Sequence, residues 1–305
     1  MGLLNTITED FMEGIRMDKL YNWVKERGPI CLGLDTALEY IPESIRSRHI
    51  NKEDQIFAFN RGIIEATKDI VASYKVQIAY YEAEGIQGLM AYKKTLDYIK
   101  ANKVPVIADI KRGDISKTAQ MYAKAHFSGD FEVDAITVNM YMGTDTIEPY
   151  YEYLKKGKGI FVLLKTSNPR SGDIQNIKTQ TGEFVYHEIM KLLDKKGKEL
   201  LGQSHYSPIG AVVGCTHPED GVAIREYMKN TFFLIPGYGA QGGKPQDVVK
   251  YLINGNGGII NSSRGLILAY KKETWKGLKF DEAARKATIE MKDTILQQLK
   301  LITQG

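Results

Sequence analysis

The stretch VPVIADIKRGDISKT, residues 104–118, opens one strand-to-helix unit of the chain. Its apolar, β-branched start, VPVIADI (104–110), predicts a buried strand, and a polar turn then leads into a helix expected over 115–127. Asp109 and Lys111 stand two apart, so on a strand their side chains share a face. Asp114 lies beyond the strand and does not share that face by periodicity. A lysine beside an aspartate is favoured in its charged form and is suited to protonating a carbon anion. A charged turn with Asp114 as helix N-cap fits the same spacing equally well, and both readings stay open at this point.

The same alternation recurs along the chain. Strands are predicted at 30–35, 70–76, 104–110, 133–139, 159–166, 208–214, 231–236 and 257–263. Helices are predicted at 52–69, 85–101, 115–127, 144–156, 181–201, 217–229, 244–254 and about 279–301. Eight strands interleaved with eight helices point to an α/β fold of the (β/α)8 TIM-barrel type, although a doubly wound sheet with one misread strand shares this periodicity. Residues 17–305 are assigned to a single barrel domain and residues 1–16 to a short N-terminal helical extension or frayed end. The polar stretch NPRSGDIQNIKTQTG, 168–182, exceeds an ordinary βα loop and is expected to be a lid.

Composition narrows the function classes. The 305 residues are 43% hydrophobic and 26% charged, as a globular chain with a sizeable core requires. Lys and Arg number 41 against 37 Asp and Glu, and the basic residues are dispersed, so neither a nucleic-acid nor a membrane partner is expected. Cys31 and Cys215 sit in apolar runs and imply neither a disulfide framework nor a metal motif. The five histidines show no ligand spacing, so no metal is expected. There is no long apolar h-region at the N-terminus, and a cytoplasmic location is the expectation.

In a barrel the chemistry sits at the C-terminal ends of the strands. Asp35, Lys75, Asp109, Lys111, Ser167 and Arg264 all fall there. PGYGAQGG (236–243), which includes Gln241 and Gly243, follows strand seven, and NSSRG (261–265) brings Arg264 and Gly265 to the next loop. Loops seven and eight are where barrels commonly bind phosphate, glycines let backbone N–H groups approach an anion, and arginine grips it in bidentate fashion. Tyr80 and Tyr81 are read as packing residues or as lining of the mouth. Neither a P-loop nor a strand-linked GxGxxG occurs.

Taken in order, LGLDT, YKVQIAYYE, DIKRGDISKT, KTSNP, PGYGAQGG and NSSRG resemble the successive signatures of the orotidine 5'-phosphate decarboxylase family, in its DxKRGDI branch. The resemblance runs from about residue 17 to the last helix. It implies decarboxylation of orotidine 5'-phosphate to UMP in de novo pyrimidine biosynthesis, with no cofactor. It further implies a homodimer whose charged network combines Lys75, Asp109 and Lys111 with Asp114 of the partner subunit. Asp35 and Lys75 would meet the ribose hydroxyls, Asp109 would face the substrate carboxylate, and Lys111 would protonate C6. Ile115 and Thr118 would reach the neighbouring site, Ser167 would read the pyrimidine edge, and Gln241 and Arg264 would hold phosphate. Metal-dependent members of the same superfamily carry a glutamate at the end of strand two, where this chain has Lys75. A catalytically silent nucleotide-binding regulator would lack Lys111 or Asp109.

Overall fold

The computed structural model describes residues 16–304. The expected extension, residues 1–16, therefore lies outside the described residues, apart from Arg16. The eight strands form a closed parallel barrel in sequence order: β1 (Ile30–Gly33), β2 (Ser73–Gln77), β3 (Val106–Arg112), β4 (Ala135–Val138), β5 (Gly159–Lys165), β6 (Ser207–Val213), β7 (Thr231–Ile235) and β8 (Gly258–Ser262). Pairing of β1 with β8 closes it, through Cys31 opposite Asn261. A doubly wound sheet is thereby ruled out.

Side chains alternate between lumen and helix layer as a strand requires. Ile107, Phe161, Leu234 and Ile259 fill the lumen, whereas Ala108, Val162, Ile235 and Ile260 face the helices. The lumen is tight enough that a Cβ at Gly210 would meet Phe161 Cδ1 at 2.6 Å, so only glycine fits opposite that ring.

The helices that precede the barrel or follow its strands in the predicted segments are α1 (Arg16–Arg27), α2 (Lys52–Thr67), α3 (Gly85–Ala101), α4 (Ser116–Phe127), α5 (Tyr151–Lys155), α6 (Val185–Lys198), α7 (Pro218–Tyr227), α8 (Pro245–Val248) and α9 (Phe280–Gln304). Two predicted helices are broken. The 144–156 segment forms two 3-10 turns before α5, with Pro149 inside the second, and 244–254 shortens to α8 plus a 3-10 turn. Helix α1 was not anticipated. Its Met17, Leu20 and Val24 pack with the lumen residues Cys31, Ile107 and Phe161, plugging the N-terminal end of the barrel. Asp18 anchors the plug by accepting from the backbone N–H groups of Gln203 and Ser204, at 3.0 and 2.7 Å. Cys31 and Cys215 are buried and unpaired, and burial pushes both thiols up to about 12, so they behave as small hydrophobes.

Candidate active site

At the C-terminal end of the barrel a cavity of about 780 Å³ opens between the βα loops. Asp35, Lys75, Asp109, Lys111, Ser167, Gln241 and Arg264 all line it. They come from six different strand ends or loops, and barrel closure brings them together.

The floor is a line of alternating charge. Lys75 Nζ lies 3.2 Å from Asp35 Oδ1 and 3.0 Å from Asp109 Oδ2, and Lys111 Nζ lies 2.6 Å from Asp109 Oδ1. Lys75 and Asp109 are 4% and 6% exposed, so water screens them little and the pairing is strong. Burial opposes the charge on each. For Asp109 the two neighbouring ammonium groups outweigh it and hold the carboxyl far below the usual range. For Lys75 the Asp109 and Asp35 carboxylates win and push its pKa up. Both residues are therefore ionised at neutral pH.

The way Asp109 and Lys111 meet differs from simple strand alternation. Between the Ala108–Ile136 and Arg112–Val138 pairs, β3 advances four residues while β4 advances two, so β3 bulges. Lys111 sits at φ +46° within the bulge, a left-handed conformation that is strained for a residue with a side chain. Thr137 on β4 holds this shape. Its hydroxyl accepts from the Ile110 and Lys111 N–H groups, at 3.0 and 2.9 Å, and donates to Asp109 Oδ1 at 2.9 Å. Thr137 lines the cavity and was missed in the sequence, because a threonine in a strand reads as an ordinary β-former. Asn261, buried on β8 and also lining the cavity, was missed as well.

Asp114 does not cap α4. The N-cap is Ile115, with no side-chain cap, and Asp114 Oδ1 instead accepts from the adjacent Ile115 N–H at 2.8 Å. Asp114, Ile115 and Thr118 do not line the cavity of their own barrel. Ile115 and Thr118 are exposed, as are Met121 on the same helix and, after β4, Met142 and the cavity-lining Tyr141.

At the other end, the PGYGAQGG loop uses positive φ at Gly237, Gly239 and Gly242 to turn back on itself. The N–H groups of Gly239, Ala240, Gly242 and Gly243 donate to carbonyls within the loop. Gly243 is thus engaged with Gly237 and stays out of the cavity lining, whereas Gln241 and Arg264 line the cavity. Gly265 borders an adjoining groove beside Arg264. Tyr80 lines the cavity, whereas Tyr81 is fully buried and donates to the Leu34 carbonyl. His217 precedes α7 as its N-cap residue and does not line the cavity.

The expected lid carries a helical turn, Gly172–Gln175, from which Ile174 and Gln175 reach the cavity. Among the described residues no group of three or more His, Cys, Asp or Glu side chains is arranged to hold a metal ion. No helix among them is long and apolar enough to cross a membrane.

Residues 28–277 match the model of the orotidine 5'-phosphate decarboxylase / HUMPS family. The chain is 57% identical over 284 residues to the orotidine 5'-phosphate decarboxylase of Clostridium acetobutylicum, covering 93% of this chain and 99% of that protein. It is 56% identical over 284 residues to the Clostridium tetani protein of the same name, covering 93% and 98%. The structure of Leishmania donovani OMP decarboxylase superposes with a TM-score of 0.74 at 28% identity, covering 93% of this chain and 98% of that one.

Proposed function

We infer that this chain, which belongs to the orotidine 5'-phosphate decarboxylase / HUMPS family, decarboxylates orotidine 5'-phosphate to UMP. The observation that carries the reading is the Asp35–Lys75–Asp109–Lys111 line at the mouth of the barrel. Loss of CO2 breaks the bond between C6 and the carboxylate carbon and leaves the electron pair on C6. The ring delocalises that pair poorly, so an enzyme gains rate by stabilising charge that grows toward the transition state.

Lys111 supplies that stabilisation. Its ammonium faces the developing carbanion and then transfers a proton to C6, and a proton from solvent converts the resulting amine back to the ammonium. Asp109 sits where the departing carboxylate would be repelled, by about 4 kcal/mol at a separation near 4 Å and an effective dielectric near 20. Lys75 and Asp35 hold the ribose hydroxyls, Ser167 reads the pyrimidine edge, and Gln241 and Arg264 hold the phosphate. Phosphate binding remote from C6 contributes energy for closing the 168–182 lid. Lys75 also bears on the choice within the family, since an ammonium at the end of β2 is a poor neighbour for a divalent cation.

The active unit is a homodimer in this proposal. Asp114, Ile115 and Thr118 stay out of their own cavity, and the exposed Ile115 and Met121 suit a second copy of the chain. Asp114 of the partner subunit then completes the charged line. A cytoplasmic place in de novo pyrimidine biosynthesis follows from the same reading.

The direct test is incubation of EDTA-treated protein with orotidine 5'-phosphate, following the absorbance of the orotate chromophore. Turnover undiminished by chelation is expected. A protein that binds UMP but leaves orotidine 5'-phosphate intact would overturn the reading.

A further inference from the structure

Lys165, the last residue of β5, opens the KTSNP run, and nothing in the chemistry above uses it. By alternation with Phe161 and Leu163 it belongs in the lumen. A register shift between β5 and β6 places it opposite Val213, an outward-facing residue, and the side chain leaves for the helix layer. There it is only 1% exposed.

The ammonium is held on three sides. It donates to Asn176 Oδ1 at 2.5 Å, lies 3.1 Å from Asp220 Oδ2 at the start of α7, and sits 4.4 Å from the centre of the Tyr186 ring on α6. Tyr186 in turn donates its hydroxyl to the other oxygen of Asp220 at 3.2 Å. A buried ammonium of this kind is retained only where its partners satisfy it, and removing one partner leaves an uncompensated charge. Asn176 is the unusual partner, because it belongs to the lid and not to the barrel wall. Immediately before it, Gln175 is stitched to Thr166 twice, accepting from its N–H at 3.1 Å and donating to its hydroxyl at 2.7 Å. Ile174 and Gln175, which reach the cavity, therefore hang from anchors on the residues that precede Ser167.

We propose that Lys165 is the positioning residue of the lid: from behind the barrel wall it fixes Asn176, and through it the face that Ile174 and Gln175 present to the base of the substrate. The ion pair with Asp220 holds the lysine in place, and the bond to Asn176 transmits that fixed position to the lid. This inference rests on the decarboxylase reading for the identity of the ligand.

The test compares a ligand that carries the base with one that lacks it. Wild-type turnover of orotidine 5'-phosphate is measured first, and its absence would count against the function and leave the clamp to be judged by binding alone. Lys165→Met and Asn176→Ala are each expected to lower kcat/KM roughly 10²-fold, the scale of loss when a remote change misplaces a reacting group. Both should weaken UMP by about tenfold and leave ribose 5-phosphate unchanged, since only UMP has a base for the lid to meet. Asn176→Asp keeps the acceptor oxygen and should stay within about threefold of wild type. Should Lys165→Met fail to fold, Asn176→Ala carries the same comparison from an exposed loop. Equal weakening of UMP and ribose 5-phosphate, or no change in UMP with either variant, would overturn the proposal.

Discussion

Lys111 is held in a left-handed conformation, inside a bulge, 2.6 Å from a carboxylate that Lys75 also holds. Strain of this kind costs about 1–3 kcal/mol and persists where the surroundings enforce it. In the proposed mechanism Lys111→Ala removes the cation that faces C6, and turnover should fall by roughly 10³-fold or more while UMP still binds, which steady-state kinetics and titration calorimetry would separate. Turnover within about tenfold of wild type would remove Lys111 from the mechanism. Thr137→Val tests what enforces the bulge. It leaves the Ile110 and Lys111 N–H groups without their acceptor and removes one of the donors to Asp109, whose Lys75 and Lys111 partners remain. Activity should drop by roughly 10- to 100-fold in a protein that still unfolds cooperatively, and unchanged kinetics would reduce Thr137 to a packing role. His126 is a separate matter. Burial first, and then the Arg112 charge, lower its pKa from 6.5 to about 4, so the folded protein prefers it neutral. The unfolded chain takes up the proton as pH falls below 6.5, and stability present above that value is lost progressively down to about 4. Replacing His126 by Phe should therefore cut the stability lost between about pH 7 and about pH 5 by about 2 kcal/mol, measured by urea unfolding at both pH values.

Among the elements, α1 and the 168–182 loop, like the broken helices at 144–156 and 244–254, were not foreseen in detail by strand-and-helix alternation. Helix α1 lies outside the repeating βα pattern, and its apolar residues gain meaning only beneath the open end of a barrel. Leu20 is 4% exposed there, and Leu20→Ala should cost about 2–5 kcal/mol in denaturant unfolding with little effect on KM, because the cavity it leaves is at the end opposite the site. A loss below about 1 kcal/mol would mean that the plug contributes little. The long polar loop at 168–182 was legible from the sequence, but its helical turn and its tether to Lys165 were not. The glycine-rich loop was legible as a turn, whereas the internal hydrogen bonds that occupy its N–H groups were not.

At the scale of the whole molecule, Ile115 and Met121 are exposed at and along the start of α4, which follows an aspartate that does not line its own cavity. If two chains share each site, Lys111→Ala and Asp114→Ala should each be inactive alone and partly active after refolding together. With random pairing half the dimers are mixed, and one of the two sites in each carries neither lesion, so about one quarter of all sites should be intact. No recovery, with mixed dimers demonstrated by differential tagging, would place Asp114 within its own barrel. The chain by itself determined the eightfold βα alternation, because burying a strand on both faces demands a continuous apolar run. It equally determined which polar residues stand at strand ends, and Asp35, Lys75, Asp109, Lys111, Ser167, Gln241 and Arg264 do line one cavity. Tertiary structure alone decided the bulges that aim Lys111 toward the mouth and Lys165 away from the lumen, and the choice of Thr137 to brace the Asp109–Lys111 pair. The physical reason is register: alternation along one strand is written in that strand, whereas a bulge depends on how many residues the neighbouring strand contributes to the same span.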